Sequence, residues 1–116
     1  MTSPTATIYH NSRCSTSRKT LELLRAHGIE PTIVEYLKTP LTRPQLQALI
    51  SASGLSVREA IRSKETIYQE LQLDAANDEG LLNAVATHPV LLNRPFVTTA
   101  KGTRLARPVE KVLEII

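Results

Sequence analysis

The stretch TATIYHNSRCSTSRKTLELLRAHGIEPTIVEYL, residues 5–37, decides how the rest of the chain is read. Its first six residues are rich in β-branched and aromatic side chains, and Pro4 and Asn11-Ser12 bound them, so they form a short strand. After His10 the hydrophobic period changes. Leu21, Leu24 and the aliphatic stem of Arg25 fall on one helical face. Ser15 or Thr16 can cap that helix, and Gly28 suits the left-handed position that ends it. PTIVEYL, residues 31–37, returns to strand composition. A helix between two strands makes a βαβ unit, whose strands are expected to run parallel with a right-handed crossover.

That reading places Cys14, the only cysteine of the chain, at the carboxyl end of a strand and the amino end of a helix. Free backbone N–H groups and the helix dipole favour an anion there and lower a thiol pKa. The shift matters chemically: a thiol at pKa ~8.5 is only about 3% ionised at neutral pH, whereas one at ~6.5 is roughly three-quarters thiolate. His10 in its protonated form, Arg13 and Arg18 all push the same way, and Ser15 and Ser17 have hydroxyls to offer the sulfur. A lone cysteine is more often a buried small hydrophobe, but polar flanks on both sides favour the reactive reading here. Ser17 stands where a Cys-x-x-Cys motif has its second thiol, so an adduct on Cys14 must be resolved from outside.

The remaining sequence extends the pattern outward. Thr42 with Gln45, and Ser56 with Glu59, are capping boxes; Pro44 sits in a first turn and Gly54 at a helix end. TIYQELQL and NDEGLLNAVATHP add helical faces, the second opened by Asn77 or Asp78 and closed before Pro89. A strand over 96–99, a Lys101-Gly102 turn and a return strand over 103–106 form an antiparallel hairpin. Pro108 then opens a last helix with Val109, Val112, Leu113 and Ile116 on its apolar face. The order βαβ, helical insertion (about 42–88), ββα is that of an α/β, thioredoxin/glutaredoxin-like domain with a mixed four-stranded sheet, here a single domain over 1–116.

Composition agrees with one soluble globular domain. The chain has 116 residues, 41% hydrophobic and 22% charged, and a net charge of +3. That excess is too small and dispersed for a nucleic-acid footprint, yet suits a small anion. No apolar run reaches membrane-spanning length and the start MTSPTATIYH lacks a signal-peptide layout, so a cytoplasmic location is expected. A single thiol fits a reducing compartment, and neither His27, His88 nor any other residue has metal-ligand spacing, so no metal is expected. Nothing in the pattern demands more than a monomer.

LNRPFV, residues 92–97, offers an X-Pro bond before a strand: Pro95 is a candidate cis proline beside the nucleophile. Arg94 precedes it, Arg104 and Arg107 lie in GTRLARP, and Arg62 in IRSKE. Singly, each arginine reads as a solvated surface residue or an ion-pair partner. His10 alone fits a backbone-bonded strand end as well as a tuning role.

Together these residues resemble the glutaredoxin-coupled arsenate reductases of the ArsC type, from Thr7 to Ile116. IYHNSRCSTSRKTLELLRAHGIEPTIVEYL, LSVREAIRSKE, HPVLLNRPFVTT and GTRLARPVEKVLEII carry the resemblance. It implies a thioredoxin-like fold with a helical insertion, Cys14 as nucleophile, and Arg62, Arg94 and Arg107 as catalytic oxyanion-binding groups. It also implies thiolate tuning by His10, a cis Pro95, no bound cofactor, and glutathione and glutaredoxin as external reductants of an arsenate adduct. Ser12 departs from the family, which often has proline there. Redox-responsive regulators of the Spx type, which bind RNA polymerase, share the fold; they commonly keep the second cysteine that Ser17 replaces, and lack a match to the third arginine. A thiol-transfer enzyme acting on another substrate is the remaining alternative.

Overall fold

The computed structural model describes residues 5–116; Pro4, expected to bound the first strand, lies outside them. Two compact units are present, one of residues up to Thr39 together with Arg94–Ile116, the other Pro40–Asn93.

The first unit holds β1 (Ala6–Tyr9), α1 (Ser15–Ala26), β2 (Thr32–Val34), β3 (Phe96–Thr99), β4 (Gly102–Leu105) and a C-terminal 3-10 helix, Val109–Ile115. The sheet order is β2-β1-β3-β4. β1 runs parallel to β2, with Ile8 opposite Ile33, and antiparallel to β3, with Ile8 opposite Val97; β3 and β4 form the hairpin. This is the mixed, thioredoxin-like sheet that the element order implies. Period-two side chains bring Ala6, Ile8 and Val97 to a core completed by Leu24, Ile29, Ala106, Val112 and Ile115. Full burial of a side chain such as Ile8 or Leu24 contributes about 1.5–3 kcal/mol.

Three expectations shift. The strand predicted over 31–37 ends at Val34, because the N–H groups of Lys38 and Thr39 both turn back to the Glu35 carbonyl. On α1 the fully buried residues are Ser17, Thr20 and Leu24, with Leu21 half-buried and Arg25 exposed. Two polar residues tolerate that stripe because each hydroxyl is bonded, Ser17 with His10 and Thr20 to the Thr16 carbonyl. The last helix is 3-10, not α. Its buried residues are Val112 and Ile115, a spacing of three that matches three residues per turn, and Leu113 is left 43% exposed.

α1 ends as predicted at Gly28, with φ +76. The N–H of Ile29 reaches the Leu24 carbonyl and that of Gly28 the Arg25 carbonyl, the paired bonds of a Schellman motif, while Leu24 and Ile29 share the core.

The second unit is helical: α2 (Arg43–Ser53), α3 (Thr66–Glu70) and α4 (Asp78–Thr87), joined by 3-10 turns at Arg58–Ala60, Leu73–Ala75 and Pro89–Leu91. The Thr42/Gln45 capping box forms in both directions, and Gly54 takes the left-handed position after α2. Ser56 and Glu59 exchange the same reciprocal bonds but open only one 3-10 turn. Asn77 caps α4 through the Gly80 N–H. Arg58 gathers the chain between α3 and α4, donating to the Tyr68 hydroxyl and to the carbonyls of Leu73 and Ala76, while Tyr68 donates to Asp74. Leu46, Ile50, Leu81, Val85, Leu91 and Leu92 are buried in this unit.

Candidate active site

The chain leaves β1 at His10, whose N–H donates to the Val34 carbonyl at 2.8 Å. It then folds back over Asn11. The Asn11 side-chain oxygen accepts the Arg13 N–H at 2.9 Å and its carbonyl accepts the Cys14 N–H at 3.0 Å, an Asx-type turn that sets Cys14 at the mouth of α1.

Cys14 itself, not Ser15 or Thr16, is the N-cap residue, with extended backbone at φ −91 and ψ 122. Asn11 explains the difference: its turn uses up the loop one residue earlier. The Cys14 side chain makes no cap hydrogen bond. It nonetheless lies where the Ser17 and Thr16 N–H groups, those of the third and second helical residues, favour its ionised form. Burial by itself raises the Cys14 pKa. The Ser17 N–H, the Arg94 guanidinium, the Thr16 N–H and the Arg107 guanidinium together outweigh it, so the thiol ends below its ordinary value.

Arg107 follows β4, and its Nη1 lies 3.9 Å from the Cys14 sulfur while donating to the Arg94 carbonyl at 2.9 Å. One guanidinium therefore joins the thiol loop to the loop before β3. The Arg94-Pro95 peptide is cis, as is Arg107-Pro108, and the Ala106 N–H donates to the Pro95 carbonyl at 2.9 Å. Arg94, Pro95 and Arg107 thus gather beside Cys14.

Ser17 works differently from the hydroxyl donor expected of it. Its Oγ accepts the Asn11 N–H at 3.1 Å and sits 2.7 Å from His10 Nδ1, so the backbone N–H, and not the hydroxyl, serves the sulfur. His10 is buried, and that burial lowers its pKa; Glu35 opposes the shift, and Arg18 and Arg25 reinforce it. The imidazole is therefore neutral at neutral pH, and it reaches the thiol region through Ser17. Arg18 donates to the Ser12 carbonyl at 2.8 Å and braces the loop, and Arg104 pairs with Glu114.

Arg62 lies in the second unit, where its N–H donates to the Leu91 carbonyl at 2.8 Å and its Nε to Glu65 at 3.2 Å. His27 and His88 are the C-cap residues of α1 and α4. Among the described residues no cluster of three or more His, Cys, Asp or Glu could hold a metal ion, and no helix is long and apolar enough to cross a membrane. Sequence reasoning missed Asn11 and the Thr16 N–H; an asparagine opening the loop was the available signal for the first.

Fold and site together define a thioredoxin-like protein with one thiol held below its ordinary pKa beside a pair of guanidiniums. The chain belongs to the ArsC family, whose model matches residues 9–115. It is 56% identical to an arsenate reductase of Rhizobium meliloti, over 97% of this chain and 81% of that protein. It is 52% identical to an arsenate reductase of Escherichia coli K12, over 95% and 79% respectively. A solved arsenate reductase from Vibrio cholerae superposes with a TM-score of 0.95 at 42% identity, covering 99% of this chain and all of that one.

Proposed function

We propose that this protein is an arsenate reductase that works through a Cys14 adduct and uses glutathione and glutaredoxin as its reductants. The observation that carries the reading is the lowered thiol of Cys14 with the Arg107 guanidinium 3.9 Å from its sulfur. A thiolate and arsenate are both anions and repel each other unless cations lie between them. Guanidiniums offset that repulsion and grip a tetrahedral oxyanion through a fixed fork of N–H donors. Arg94 and Arg107 take this role, and Arg62 is the third cation on the strength of the family resemblance.

In the first step the Cys14 sulfur attacks arsenic, an S–As bond forms, and one oxygen leaves as water with no change of oxidation state. A glutathione thiol then condenses with an As–OH group and releases a second water. A glutaredoxin thiolate attacks the glutathione sulfur. The new S–S bond forms as the S–As bond breaks, its electron pair stays on arsenic, and pentavalent arsenic becomes trivalent. Water cleaves the remaining Cys14–As bond and arsenite departs. Such a scheme suits the reducing cytoplasm and needs no second cysteine in the chain.

The polymerase-binding regulator lacks its switch, since position 17 is a buried serine already engaged with His10 and Asn11. The test is NADPH oxidation dependent on arsenate, with purified protein, glutathione, glutaredoxin and glutathione reductase. Turnover is expected, and Cys14→Ser abolishes it. No turnover from a wild-type protein whose Cys14 still titrates as a low-pKa thiol would falsify arsenate as the substrate.

A further inference from the structure

Beside the thiol site, between α1 and the C-terminal 3-10 helix, a groove of about 700 Å³ opens on the surface of the first unit. Thr16, Lys19, Glu22, Leu23 and Ala26 form its α1 wall at helical spacing. Arg107, Pro108, Glu110 and Leu113 face them. Two lining residues also belong to the thiol site: Arg107 reaches the Cys14 sulfur and the Thr16 N–H favours its thiolate. The groove therefore borders the thiol site through Arg107 and Thr16.

Its charges are unspent. Among the described residues Lys19, Glu22 and Glu110 have no side-chain hydrogen bond or ion pair, although all line one depression together with the 43% exposed Leu113. From Thr16 to Ala26 the wall is about 15 Å long at the α-helical rise, and an extended tripeptide spans about 10 Å. We infer that this groove seats the thiol co-substrate, a small peptide carrying two carboxylates and one ammonium, with its thiol at the Arg107 end. A carboxylate pairs with Lys19, the ammonium lies against Glu22 and Glu110, and the peptide's aliphatic stems cover Leu23 and Leu113. The inference rests on the reading that an external thiol peptide resolves the Cys14 adduct. It adds where that thiol waits and which uncatalytic residues select it.

The probe for binding is S-methylglutathione, which cannot react, titrated into the ¹⁵N-labelled wild-type protein. Saturable amide shifts centred on Lys19, Leu23, Ala26 and Leu113 are expected. In the coupled assay, Lys19→Glu and the groove-filling Ala26→Trp are expected to raise KM for glutathione about fivefold or more, since a reversed charge turns a weak surface attraction into repulsion. The kcat at saturating glutathione and the KM for arsenate stay unchanged. Shifts that cluster elsewhere, or an unchanged glutathione KM in both variants, overturn the groove even when arsenate is turned over. Groove shifts in a protein that ignores arsenate uphold the groove and remove the reductase reading instead.

Discussion

The two sides of the Cys14 loop are built from opposite materials. Beneath it, His10, Asn11 and Ser17 are buried and bonded to one another, and none carries a charge at neutral pH. Above it stand permanently charged guanidiniums, with Arg107 Nη1 3.9 Å from sulfur. The buried side has no freedom to meet a substrate, and its work is to hold the first turn of α1 so that the Ser17 and Thr16 N–H groups face the thiolate. The cationic side is where an anion can arrive. Under the proposed reaction, positioning and chemistry are separated across one short loop, and substitutions on the two sides should fail in different ways.

The largest effect is expected at Arg107. Charge-assisted hydrogen bonds contribute about 1.5–3 kcal/mol, so Arg107→Gln should lower kcat/KM for arsenate roughly 10- to 150-fold. It should also raise the Cys14 pKa, read as the midpoint of iodoacetamide alkylation against pH. Arg107→Lys keeps the charge without the fork and should recover the alkylation midpoint better than the arsenate kinetics. Equal recovery of both would remove the case for a shaped oxyanion grip.

Ser17→Ala tests the buried side. It leaves the Asn11 N–H and His10 Nδ1 without their partner, at about 1–3 kcal/mol, which denaturant unfolding measures. The backbone N–H that faces sulfur stays, so the alkylation midpoint should move less than in Arg107→Gln. A larger movement would mean that the hydroxyl acts on the thiol directly.

How far these parts were legible in the sequence follows the same division. The βαβ unit, the hairpin and most helix caps could be read because they depend on local patterns: alternating apolar residues, Gly28 and Gly54 at helix ends, Thr42 with Gln45. Cys14 stood out by residue type and polar flanks, whereas its arginines read singly as surface residues and entered only through the family resemblance. The buried stripe of α1 did not, since Ser17 and Thr20 look solvent-facing until their hydroxyl partners are known. Those partners come from β1 in one case and from the helix itself in the other. The C-terminal helix misled for a related reason: a run with Val112 and Ile115 inward fits a period of three or of nearly four, and packing alone chooses between them.

His10 gives the comparison a pH dependence. Burial lowers its pKa from 6.5, so the folded state disfavours the imidazolium. Stability from this group is complete above the unfolded value and is lost as pH falls from 6.5 toward the lower folded value, because the unfolded chain takes up the proton first. Thermal unfolding from pH 7.5 down to 5.5 should show wild type losing more stability than His10→Asn, which has no proton to gain. The alkylation midpoint of Cys14 should differ little between the two, as a neutral His10 lends the thiolate no charge.

The smallest effect is expected at Arg18, and it bears most directly on how the thiol is activated. Arg18 is a cation within the same loop-helix segment, yet its Nη1 donates to the Ser12 carbonyl and its contribution to Cys14 is not among those that lower the thiol. An exposed hydrogen bond of this kind is worth about 0.5 kcal/mol, at the low end of the usual range, so Arg18→Ala should loosen the loop slightly and reduce kcat/KM no more than about threefold. The alkylation midpoint should stay where it is, at low and at moderate salt. If it rose as far as in Arg107→Gln, and the difference vanished with added salt, the thiolate would be held by a diffuse positive field instead of by aimed donors. The division between a positioning side and a cationic side would then dissolve, because any nearby cation would serve.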